Sequence, residues 1–175
     1  MVSFEIDNIK KGNIKVYEQL FKHYYKSLVL FSFRYVKNRK IAEDVVHDVF
    51  VNIWENREKL DFTGNFKSYL FIAVRHLSLK KSVTQNKFEQ IDVEVILSKS
   101  NAPDDVLIKK EFEKAISLAI SKLPEKRREI FCMHRFDHLT YSEIALALNI
   151  SIKTVETQMG RAIKFLRERL TFLLK

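Results

Sequence analysis

Glycine and proline are scarce: the 175 residues contain three Gly and two Pro. Turn-dense β architectures need both, so their scarcity argues against sheets joined by tight hairpins, and no glycine-rich phosphate loop exists. A single cysteine, Cys132, excludes an internal disulfide framework, and its neighbours Phe131 and Met133 mark it as a packed thiol in a reducing compartment. Long apolar runs are missing too. The longest, Leu28 to Phe31 and Leu70 to Val74, fall far short of the ~20 residues that cross a bilayer. The N-terminus carries acids where a signal peptide needs a basic start and an apolar block. These absences predict a cytoplasmic protein without membrane insertion.

What is present is charge and helical periodicity. A chain with 46% hydrophobic and 30% charged residues fills one modest core or two small ones, not a large catalytic α/β domain. The formal charge of +9 and pI of about 9.6 suit a polyanionic partner, although charge alone also serves solubility.

Apolar residues recur at helical spacing through Val16, Leu20, Tyr24, Leu28, Phe31 and Tyr35, then, after Lys37 to Lys40, through Ala42, Val45, Val49, Ile53 and Trp54. A third helix runs through Tyr69, Ile72, Ala73, His76 and Leu77. Residues 85–103 lack a sustained period and collect Ser, Asn and Asp, as a linker does. Helices resume from Asp105 to Lys122 and from Glu125 to about Phe136. The expectation is an all-α chain of two small helical domains, 1–84 and 104–175.

The C-terminal stretch from Leu139 to Leu170 reads as a helix-turn-helix. Thr140 followed by Glu143 is a capping-box pair. Asn149 suits a turn position with positive φ, and Ser151 can cap the next helix. Ile144, Ala145 and Leu148 form the inner face of the first helix. Val155, Met159, Ala162, Ile163, Leu166 and Leu170 form that of the second. Its outer face offers Ser151, Lys153, Thr154, Glu156, Thr157, Gln158, Arg161 and Lys164, residue types that meet base edges and phosphates when a recognition helix enters the major groove.

Two further surfaces stand out in the first domain. Asp44, His47, Asp48 and Asn52 share a helix face that nucleic acid would repel and a basic protein would attract. A metal reading of His47 and Asp48 lacks further ligands, and no cofactor is expected. Next, Phe62, Phe66, Tyr69 and Phe71 interleave with Lys67, Arg75, Lys80 and Lys81, the chemistry of single-strand binding, in which aromatic faces stack on unpaired bases and cations track phosphates. Some of the aromatics are needed for the core, Phe71 first among them.

These pieces resemble a bacterial RNA polymerase sigma factor of the sigma-70 family, extracytoplasmic-function (ECF) group. The stretch Ala42 to Glu55 is similar to that family's region 2.2, Phe66 to Lys81 to regions 2.3 and 2.4, and Leu123 to Leu170 to region 4. The resemblance implies a non-enzymatic factor that binds core RNA polymerase, at the clamp helices and flap of its large subunits, and directs initiation at promoter DNA. It implies polymerase docking for Asp44, His47, Asp48 and Asn52. It assigns the minus 10 element to Phe62, Phe66, Lys67, Tyr69, Arg75, His76 and Lys80, and the minus 35 element to the outer face of the recognition helix. An anti-sigma factor is a further implied partner. The chain departs from the usual family pattern at His47, His76 and Lys80. The helix-turn-helix is also similar to that of LuxR-type regulators, a reading that requires a β-rich sensing domain upstream. A small helical enzyme would need a clustered nucleophile, base and orienting group, which the sequence lacks.

Overall fold

The structure is a computed structural model that describes residues 7–60, 65–83 and 106–171. Those residues form helices joined by short connections, with no strand among them, and the chain divides into two compact units, Met1–Glu89 and Gln90–Lys175. The expected linker, 85–103, and the expected helix start at Asp105 lie outside the described residues.

The first unit is a bundle of α1 (Ile14–Val36), α2 (Arg39–Glu55) and α3 (Phe66–Val83), each packed on the other two. Local chemistry sets the ends of α1 and α2. Asn13 and Asn38 are N-caps whose side chains accept from the amides of Val16 and Ile41, satisfying donors that the first turn cannot. Between the two helices, Lys37 adopts φ 54° and its N–H returns to Phe33 O, so the chain reverses within the expected break.

Leu28, Phe31, Ala42, Val45, Val49 and Ile53 are buried. Tyr17, rather than Val16, begins the inner stripe of α1. Its ring lies 4.9 Å from Trp54 and its hydroxyl donates to Phe50 O. Burial, with a smaller contribution from Tyr69, pushes its pKa well above the ordinary 10.0.

The inner face of α3 corrects the sequence reading. The series Tyr69, Ile72, Ala73, His76 and Leu77 is not the buried one; Phe66, Leu70, Phe71, Val74 and Ser78 are. Apolar residues occur on both sides of this helix, so periodicity alone does not select a side. Packing does: Phe71 sits edge-on against Phe31 at 4.9 Å, and Ser78 shares a buried hydrogen bond with Ser32 of α1.

The second unit contains α4 (Val106–Ser121), α5 (Glu125–Arg135), α6 (Tyr141–Leu148) and α7 (Ile152–Leu170). Helix α7 is the hub, contacting α4, α5 and α6. Its Ala162 and Leu166 pack with Ala119, Ile120, Leu123 and Cys132 in one apolar cluster. Pro124, just before α5, has no N–H to donate and suits a helix start.

Candidate functional site

The helix-turn-helix is assembled by contacts close in sequence. The Thr140 amide donates to Glu143 Oε2 at 2.7 Å, and the Glu143 amide donates to Thr140 Oγ1 at 3.3 Å, closing the capping box. Asn149 ends α6 at φ 53°, with its N–H and that of Ile150 directed to carbonyls of the last turn, the left-handed exit that lets α7 cross α6. Ser151 then caps α7 by accepting from the Thr154 amide at 3.0 Å.

Val155, Met159, Ala162 and Leu166 of α7 are buried. Ile163, expected on that face, is 46% exposed, and Leu148 is only half-buried. Ile163 lies one residue beyond the buried Ala162 and faces out from the packed stripe.

Ser151, Lys153, Thr154, Glu156, Thr157, Arg161 and Lys164 are all exposed on α7. Lys153 pairs with Glu156 at 3.5 Å, an exposed bond worth less than ~1 kcal/mol, so phosphate can displace it. Gln158 differs: it is half-buried, and its Oε1 accepts from Arg127 Nε of α5 at 3.2 Å. Arg127 was not among the sequence candidates. Its signal was weak, one cation within the run Lys126 to Arg128, and its partner lies 31 positions away.

In the first unit, Asp44, His47, Asp48 and Asn52 of α2 are likewise exposed, with His47 resting against Phe21 and Tyr25 of α1 at 5.4 and 5.5 Å between rings. Asp48 accepts from Lys81 Nζ of α3 at 2.7 Å. Val51, 54% exposed, and Glu55 extend the same side. Neither was a sequence candidate, although Val51 stands three positions after Asp48 and seven after Asp44, the spacing of one helical face. The surface is thus acidic with an apolar centre.

Helix α3 presents Tyr69, Ile72, Arg75, His76, Leu79 and Lys80 away from its buried stripe, all of them exposed or half-buried. Lys67 is half-buried, its ammonium 6.0 Å from the Phe71 ring centroid. Phe66 is the exception among the minus 10 candidates: it is 1% exposed, inside the bundle, and a ring so placed cannot stack on a base. Phe62 lies outside the described residues. Among the described residues, no group of three or more His, Cys, Asp and Glu could hold a metal ion, and no helix is long and apolar enough to cross a membrane.

A helix-turn-helix with a cationic outer helix in one unit, and a bundle with an acidic helix face in the other, are the features of the class of transcription proteins that meet both DNA and a protein partner. Comparison with known proteins supplies the family. Residues 20–87 match the Sigma-70 region 2 model and residues 113–166 match Sigma-70, region 4. The chain is 25% identical to the ECF RNA polymerase sigma factor SigW of Bacillus subtilis, across 97% of each chain. It is 22% identical to the ECF RNA polymerase sigma-E factor of Escherichia coli K12, across 90% of this chain and 87% of the relative. The fold is similar to that of CnrH, solved in complex with the cytosolic domain of CnrY, with a TM-score of 0.68, 19% identity and 97% of each chain covered. It is also similar to that of the sigma factor RpoE of Bartonella quintana, solved with the anti-sigma factor NepR, with a TM-score of 0.60, 19% identity, and 90% and 98% covered.

The chain belongs to the sigma-70 family of RNA polymerase sigma factors, in its extracytoplasmic-function group, and directs transcription initiation. The family is one of non-enzymatic initiation factors. A stand-alone LuxR-type regulator is not favoured, because the region 2 match occupies the part of the chain that such a regulator gives to sensing.

Proposed function

We propose that the two units divide the work of initiation between polymerase and promoter. The acidic face of α2, with Asp44, His47, Asp48 and Asn52 around Val51, docks on core RNA polymerase at the clamp helices of its large subunits. Charge complementarity steers the encounter, and the apolar centre adds contact area. The outward side of α3, with Tyr69, Arg75, His76 and Lys80 beside Lys67, meets the minus 10 element, where Tyr69 stacks on an unpaired base and the cations follow phosphates. The outer face of α7, from Ser151 to Lys164, enters the major groove at the minus 35 element while the second unit rests near the polymerase flap. Residues 85–103 tether the units. The protein catalyses no reaction, needs no cofactor and works in the cytoplasm beside polymerase. An anti-sigma factor is a further partner, as the complexes of the CnrH and RpoE relatives suggest.

The observation that carries this reading is the opposition of charge between surfaces: exposed carboxylates on α2, and exposed cations on α3 and α7. Changing Asp44 and Asp48 together to Lys tests it. Binding to core polymerase should fall at least tenfold with helical content unchanged, because like charges at a close interface repel. Binding equal to that of the parent would remove the docking assignment.

A further inference from the structure

We propose that Arg127 sets the base preference of the recognition helix by holding the carbonyl end of Gln158. This rests on the reading above, in which α7 enters the major groove.

A glutamine side chain has an acceptor end, Oε1, and a donor end, the Nε2 amide. When both reach one base edge, the partner is adenine: Oε1 accepts from N6 while Nε2 donates to N7. In this protein the acceptor end is already committed. Arg127, in the first turn of α5, donates from Nε to Gln158 Oε1 at 3.2 Å. Both side chains are half-buried where α5 packs on α7. The planar guanidinium is charged at every working pH and holds a fixed geometry, so Oε1 stays turned toward α5.

Two consequences follow for a base in the groove. Nε2, at the opposite end of the amide, remains to donate outward from a flank whose neighbours Thr154, Thr157 and Arg161 are exposed. The guanidinium charge beside Oε1 also opposes the approach of an amino donor. Gln158 therefore acts as a donor only, suited to O6 of guanine or O4 of thymine; N7 is shared by both purines and does not discriminate, and the paired contact that would favour adenine is lost. Arg127 is a positioning residue: it acts through Gln158 and from another helix.

The test uses the full chain bound to core polymerase and a promoter library randomised through the upstream element, with base preferences read by sequencing the transcribed templates. The parent should prefer guanine or thymine at one position. Arg127→Met frees Oε1 and should shift that position toward adenine by about tenfold, leaving the other positions unchanged. Arg127→Lys keeps a donor and should retain the parent preference, and Gln158→Ala should flatten the same position.

If Arg127→Met keeps the parent preferences while Gln158→Ala flattens a position, Arg127 merely packs and the proposal fails. Equal weakening of all sequences by Arg127→Met means a phosphate contact, which also overturns it. If Gln158→Ala changes nothing but Lys153→Ala or Arg161→Ala does, the proposal fails and the groove reading stands. If none of these variants alters any position, the groove reading itself fails.

Discussion

Replacing Phe66 by Ala separates packing from nucleic-acid contact at a single residue. The ring is enclosed by the bundle, and removing a buried phenyl costs about 3–5 kcal/mol in lost transfer energy and residual cavity. The expected result is a large loss of stability, read by fluorescence of Trp54, the single tryptophan and a member of the first unit. A stable Phe66→Ala variant with selectively weakened promoter opening would instead place the ring on DNA. Tyr17 allows a pH test. Its pKa is raised by burial, so the folded state holds the proton more tightly than the unfolded state does. The resulting stability is present below pH ~10 and is lost as the pH rises further. Tyr17→Phe removes the hydrogen bond to Phe50 O, worth about 1 kcal/mol, and should flatten the decline in stability above pH ~10. An identical alkaline slope in both proteins would contradict this.

Among the elements, those fixed by neighbours in sequence were legible and those fixed by distant packing were not. The capping box at Thr140 and Glu143 and the Ser151 cap follow from side chains within three residues of the amides they serve, and Asn149 takes the left-handed backbone that its residue type tolerates. The exposed side of α2 was legible because its Val-rich inner stripe is cleanly separated from Asp44, His47 and Asp48. The periodicity of α3 leaves its inner face open, because apolar residues lie on both sides and packing on distant residues, Phe31 and Ser32 of α1 among them, selects the buried one. The link from Arg127 to Gln158 spans two helices and leaves no periodic trace. Thr140→Ala probes the element that was legible. Losing the cap should cost the second unit about 1 kcal/mol. The helical circular dichroism should then melt earlier while the Trp54 fluorescence transition, belonging to the other unit, stays fixed. Parallel shifts of both signals would show that the units unfold together.

For the whole molecule, the proposed division of tasks between the units accounts for a single recognition helix being enough. One helix in one groove buries little surface, and regulators that act alone double it by dimerising over two half-sites. A sigma factor gains its second foothold from polymerase, which holds both units at a spacing that a tether alone cannot set. On the proposed reading, capture of unpaired bases by the exposed side of α3 offsets the few kcal/mol of unstacking that each base requires. The direct measurement is transcription in vitro from a promoter library, using core polymerase with and without this protein, beside duplex binding by the protein alone. Protein-dependent start sites that share upstream and minus 10 elements, with weak binding in the absence of polymerase, are expected. No protein-dependent start sites, together with tight dimeric binding to a palindrome, would contradict a polymerase-bound initiation factor.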